Sequence, residues 1–298
     1  MNTLSRRDLV LLACLTLAWG LNWPIMKFGV QDLAPLYYRV LCIGGGVLFL
    51  WAYARWAGIP LRVPRADWPL LVKLAIPNVV VWHILLIIAL KLLPAGRSAI
   101  LGYTMPVWAV LFGLWLFGER TEKRHWFGVL AATVGALLLL SSEFTKLAGT
   151  PLGTLLVLAA AAAWGYGTNL MRRHLTHIPT LTLTLWMLVI TLAVMVPLTV
   201  IFERSQWRAP SLPEWASIVY NMVLAIAFCH AVWAMLARRL PPAASGLSVM
   251  LIPVLGVFSS MWMLGEAPYW QDYAALVLIL AALSTVVLAP RKPPSDAG

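Results

Sequence analysis

Nine side chains in this sequence pair hydrogen-bonding or aromatic chemistry with positions deep inside apolar runs. They are Trp19, Asn22, Asn78, Trp82, His83, Tyr103, Trp164, Asn169 and His230. Amides and imidazoles donate and accept hydrogen bonds, and an indole offers a flat apolar face with one N–H donor. Such a set suits the holding of a small polar or aromatic molecule. It does not suit breaking a bond. The sequence has no HExxH, no paired carboxylates within one apolar run and no Ser and His at helical spacing.

Each of these residues has a functional and a packing role open to it. Trp19 and Trp164 are each followed by Gly, in Ala-Trp-Gly at 18–20 and 163–165. They are either two aromatic walls facing each other or rings packed at a glycine notch. Asn22 and its counterpart Asn169 either bind a ligand or, for Asn22, bond a carbonyl freed by Pro24. Asn78 and Trp82 share a helix face. His83 points about 140° away from Asn78 on a straight helix, so both face one cavity only if Pro77 twists the segment. His83 and His230 straddle the midplane by about 12 Å at helical rise, which excludes a shared metal. Each either contacts a ligand and titrates near neutral pH, or links two helices. Pro106 and Pro253 fall mid-helix, near Tyr103 and near Ser245 and Ser248, as cavity-lining moving parts or as static kinks.

These residues need elements that bury them, and composition says which. Apolar residues make up 61% of the chain and charged residues 11%. A soluble domain has about 45–50% and about 25%, so this chain cannot cover a water-facing surface. Runs of about 20 apolar residues predict membrane helices. Ten are expected, near Asp8–Phe28, Ala34–Trp56, Trp68–Leu90, Ser98–Phe117, Lys123–Ser142, Pro151–Arg173, Pro179–Phe202, Glu214–Ala237, Ala243–Leu264 and Tyr269–Ala289. The fold class expected is an all-α integral membrane protein. The connections leave no room for a soluble domain.

Basic residues set the orientation. With the N-terminus in the cytoplasm, fifteen Lys and Arg fall inside, among them Arg6, Arg7, Arg172 and Arg173, and six fall outside; Arg39, inside the second helix and expected to snorkel, completes the 22. The net charge of +11 is an orientation signal, because no basic face remains in water for nucleic acid. The apolar run after Arg7 continues through Trp23, so a retained first helix is expected rather than a cleaved signal. Cys14, Cys42 and Cys229 all lie within helices and offer neither a zinc pattern nor disulfides.

The chain repeats itself. "MPVWAVLFGLWLFGE" at 105–119 and "IPVLGVFSSMWMLGE" at 252–266 lie 147 residues apart. At the same offset Pro94 maps to Pro241, His83 to His230 and Trp115 to Trp262. The repeats are expected at 1–147 and 148–290, with a short cytoplasmic tail at 291–298. Five helices per repeat is odd, so the second copy enters from the opposite side. Inverted repeats of this kind build secondary transporters, with the site at the midplane between them.

At this point the sequence resembles a known family. Ten helices in two halves, "AWGLNWPIMKFG" in the first helix and Pro…Gly-Glu closing the fourth and ninth are similar to the EamA branch of the drug/metabolite transporter superfamily. Within it, the chain looks most like the YddG-type exporters of aromatic amino acids. The resemblance implies a bundle in the bacterial inner membrane that moves small metabolites outward. Together with the charge bias and the repeat, the expectation is an exporter of amino acids and related metabolites by alternating access, with both termini cytoplasmic, lipid and small-molecule partners and no cofactor; the sequence leaves the oligomeric state open, a monomer included. All eleven acidic residues lie at helix ends or in loops. A proton-driven cation pump keeps a carboxylate in the membrane, so a neutral or zwitterionic substrate without proton coupling is expected. The alternatives are export of other metabolites or drugs, a channel, or a membrane enzyme.

Overall fold

The computed structural model describes residues 5–118, 123–145, 151–174, 177–236 and 242–287. Glu119, Pro241 and the tail at 291–298 lie outside them, as do the side chains of Ser245 and Ser248. Ten helical segments follow one another: α1 (Arg6–Val30), α2 (Pro35–Trp56), α3 (Arg65–Leu92), α4 (Ala95–Phe117), α5 (Lys123–Thr145), α6 (Pro151–Arg173), α7 (Thr180–Phe202), α8 (Leu212–Leu236), α9 (Pro242–Leu264) and α10 (Trp270–Val287). Seven of them, α1–α4 and α6–α8, are long and apolar enough to cross a membrane. The apolar stretches of the other three, His125–Ser141, Met250–Leu264 and Trp270–Thr285, are shorter.

Local chemistry sets the boundaries. Ser5 and Asp8 form a capping box on α1, as Ser211 and Glu214 do on α8. Pro35 opens α2 where its missing N–H costs nothing. Gly118 and Gly265 close α4 and α9 with φ of 65°, a left-handed cap that suits glycine. The repeated Gly-Glu thus begins as a helix stop.

The main packing pairs are α1 with α9, α4 with α6, α3 with α6, α8 with α1, α2 with α8, α7 with α3, α4 with α9, α5 with α10 and α2 with α7. Exchanging α1–α5 for α6–α10 maps this set onto itself. The upper end of the bundle carries the α1–α2 connection, and the lower end carries the α2–α3 connection. Trp215, Trp262 and Trp270 are exposed toward the upper end, and Trp56, Trp115 and Trp126 toward the lower. Exposed indoles near both ends of apolar helices form the aromatic belts of a membrane protein.

Three segments depart from regular α-helix. In α3, Ile76–Val81 is π-helical, and in α8, Asn221–Phe228 is too. The fourth helix breaks after Gly102 and restarts at Met105. Pro106 lacks the N–H that would bond the Gly102 carbonyl and clashes with it. The Thr104 hydroxyl also bonds the Leu101 carbonyl at 2.7 Å, competing with the helix. Pro106 therefore sits near the start of a new helix, not in a mid-helix kink as expected. Pro253 stays inside an unbroken α9, where Leu251 occupies the position equivalent to Thr104.

Candidate functional site

The glycines of the two Ala-Trp-Gly motifs are contact points. A methyl group at Gly20 would lie 2.5 Å from Leu255 of α9, and one at Gly165 would lie 2.7 Å from the backbone of Ala109 in α4. The first helix of each repeat thus crosses the fourth helix of the other at van der Waals range. The preceding tryptophans turn to the third helix of the other repeat. Trp19 donates from Nε1 to the Ala225 carbonyl of α8 at 3.1 Å and meets His230 edge-on at 5.9 Å. Trp164 meets Trp82 of α3 edge-on at 5.2 Å. Each therefore finds its ring partner on the third helix of the opposite repeat.

The π segments shape what these tryptophans meet. A π turn carries extra residues and leaves carbonyls out of α register, and it recurs at functional sites. In α8 the widened turn presents the Ala225 carbonyl to Trp19, while the Ile226 carbonyl takes His230 Nδ1 at 2.8 Å. In α3 it begins at Ile76, beside Pro77, so Asn78 and His83 are not related by the 140° of a straight helix. Asn78 lies over Gly167 of α6, where a methyl would come within 2.6 Å of its Cγ. Gly102, at the break in α4, lies against both Trp23 and Trp82, and Trp23 in turn approaches Tyr103 at 6.5 Å. Two aromatic pairs, Trp164–Trp82 and Trp23–Tyr103, thus meet on either side of Gly102 in the middle of the bundle. Pro24 sits in this part of α1 without breaking the helix.

Three buried asparagines are incompletely bonded. Asn22 Oδ1, Asn78 Nδ2 and Asn169 Oδ1 have no hydrogen-bond partner among the described residues. Asn169 uses its other end to bond the Ala109 and Gly165 carbonyls at 2.7 and 3.1 Å, tying α6 to α4. A buried polar group left unpaired costs about 1–3 kcal/mol. These are the three asparagines singled out by depth; Thr154 Oγ1 and Gln271 Oε1 are likewise without a partner among the described residues.

Arg39 corrects the sequence reading. It does not snorkel but is 5% exposed. Its guanidinium donates to His83 Nδ1 from Nη2 at 2.8 Å and from Nε at 3.3 Å, and to Asn221 Oδ1 from Nη1 at 3.1 Å. His83 Nδ1 is thus the atom that faces both guanidinium donors. Asn221 Nδ2 donates to Tyr38 Oη at 3.0 Å, Tyr38 and Ser217 share a bond of 2.8 Å, and Ser217 donates to the Ile25 carbonyl at 2.7 Å. This network joins α1, α2, α3 and α8. Neither Tyr38, Ser217 nor Asn221 is signalled by the sequence, because their partners come from remote segments. Among the described residues no cluster of His, Cys, Asp and Glu is arranged to hold a metal.

Mostly apolar helices, aromatic belts and a polar centre define a multi-pass membrane protein. Residues 7–141 and 151–288 each match the EamA-like transporter family, and the chain belongs to that family. It is a transporter rather than an enzyme, as its relatives are. A probable amino-acid metabolite efflux pump of Salmonella typhimurium is 24% identical over 94% of each chain. The uncharacterized transporter YvbV of Bacillus subtilis is 27% identical over 94% of this chain and 91% of its own. A crystal structure at 24% identity superimposes with a TM-score of 0.67, covering 95% of this chain and 98% of its own; at that identity the likeness carries the fold alone.

Proposed function

We propose that the protein exports amino acids, aromatic ones included, across the bacterial inner membrane by alternating access. Two inverted repeats, 1–147 and 148–290, would rock about the central site, with the lower end and both termini in the cytoplasm. The observation that carries this reading is the set of partnerless amide atoms on Asn22, Asn78 and Asn169 beside the Trp82–Trp164 pair. Neutral hydrogen-bonding groups and indoles that meet edge-on suit the polar head and apolar side chain of a zwitterionic amino acid. The break before Pro106 supplies a joint in α4. The symmetric packing of the two halves and the printed name of the Salmonella relative support the same reading.

Flux of radiolabelled amino acids in proteoliposomes is the test. Saturable, counterflow-stimulated flux of phenylalanine and threonine, with no need for a proton gradient, is the expected result. Flux of a sugar or nucleotide but of no amino acid would overturn the substrate class, and flux that never saturates would indicate a channel. Trp19→Ala and Trp164→Ala, compared at matched amounts of folded protein, should each lower the phenylalanine-to-threonine preference about 10-fold. A packing role instead lowers thermal stability and leaves that preference unchanged.

A further inference from the structure

Two cations are buried among the described helices, and they are answered differently. Arg97 of α4 has Asp272 of α10 at 2.8 Å, with both side chains under 8% exposed. Arg39 of α2 has only His83, Asn221 and the thioether of Met26, 3.3 Å away, and among the described residues no carboxylate pairs with it. A buried charge with neutral partners alone is costly. Here the donors are also poorly matched. The Nε–H and Nη2–H edge of a guanidinium is the edge that takes both oxygens of a carboxylate. In this protein that edge is aimed at one imidazole nitrogen, which has a single lone pair.

The repeat sharpens the point. The stretch of α7 equivalent to Arg39 reads Thr184-Leu185-Trp186 and holds no cation. The fold therefore does not require a charge at this place in α2. The charge also lies on one side of an otherwise symmetric bundle, as suits a substrate with a negative group at one end. His83, which the guanidinium meets, follows Trp82 directly in α3, and Trp82 forms the aromatic pair with Trp164.

We propose that Arg39 is the receptor for a carboxylate on the substrate, and that His83 occupies the guanidinium edge until that carboxylate displaces it. The substrate class is thereby narrowed to small carboxylates with an apolar or aromatic body. The inference rests on the reading of the central cluster as the substrate site.

The experiment compares acids with their own amides. Phenylalanine against phenylalaninamide, and 3-phenylpropionate against 3-phenylpropionamide, are titrated into the purified full-length protein with intrinsic tryptophan fluorescence as the readout. Wild-type protein should bind at least one acid about 10-fold or more tightly than its amide, the margin of a bidentate charge-assisted contact. Arg39→Gln should bring acid and amide within about 2-fold of each other. Arg39→Lys, which keeps the charge and loses the fork, should retain part of the preference, and it serves if the Gln variant does not fold. Preference for 3-phenylpropionate with no binding of phenylalanine would remove the amino-acid reading and leave the role of Arg39 standing. No preference for either acid in the wild type, or a full preference surviving in a folded Arg39 variant, would overturn the inference.

Discussion

The two ends of the bundle are held by different kinds of bond. At the upper end, carboxylates reach from one helix to the exposed N–H groups of another. Glu203, at the end of α7, accepts from the Leu36 and Tyr37 amides of α2 at 3.1 and 2.8 Å. Glu266, just past α9, accepts from the Ala95 and Gly96 amides of α4 at 2.6 and 3.0 Å. Lys27 binds the Leu90 carbonyl at the end of α3, Lys91 binds the Leu33 carbonyl in the α1–α2 connection, and Arg97 and Asp272 form their buried pair. Negative groups at helix starts and positive groups at helix ends both gain from the backbone dipoles. At the lower end the described links are neutral or wet: Thr182 and Trp186 donate to the Pro60 and Leu61 carbonyls, and Asp67 pairs with an exposed His177. A cavity of about 470 Å³, lined by Tyr53, Ile59, Pro60, Thr180, Ala231 and Met235, opens there between α2, α7 and α8. One fold copied twice thus carries a latch above and a cleft below. In the orientation proposed above, the open end faces the cytoplasm, from which an exporter loads.

That contrast can be broken at its strongest point first. Asp272→Ala takes the carboxylate from the buried Arg97 and should cost about 3–5 kcal/mol, measured by unfolding in detergent micelles; a loss under about 1 kcal/mol would place the closure of the upper end elsewhere. Glu266→Gln keeps one acceptor but removes the charge at the start of α4. It should cost about 1–2 kcal/mol. It should also speed labelling of a Ser98→Cys reporter, in a background without the three native cysteines, by a membrane-impermeant maleimide added from the upper side. An unchanged labelling rate would mean that this contact does not gate. Asp67→Asn should shift stability by no more than about 0.5 kcal/mol, because an exposed ion pair is screened; a loss above about 2 kcal/mol would make the two ends equivalent.

The helices were readable because their signals are local. Apolar length, Pro35 and the glycines at 118 and 265 place every segment within a few residues of the expectation. Asn22, Asn78 and Asn169 were readable by depth alone, since a polar side chain in the middle of an apolar run must find cover. What escaped depends on contacts between distant segments. Arg39 looks like a snorkelling cation because it lies one turn into its helix, but its acceptors stand 44 and 182 residues away in α3 and α8. The role of Glu266 was equally hidden, because the amides it caps lie 171 and 170 residues back in the chain. The π segments have no residue signature; only the mismatch between Asn78 and His83 on a regular helix pointed to one of them. Pro106 and Pro253 align in sequence yet differ in effect, because the hydroxyl that helps open α4 has an apolar residue as its counterpart in α9.

The widened turns in α3 and α8 have a consequence for reading frame within the helix. Each stores more residues in its turn than an α-helix would. Were Ile76–Val81 to tighten to regular α geometry with no residue removed, everything beyond it would rotate by about 100° relative to the start of α3. His83 would swing away from Arg39 and Trp82 away from Trp164, although no side chain of the site had been altered. The chemistry of the centre is therefore held in phase by a count of backbone residues.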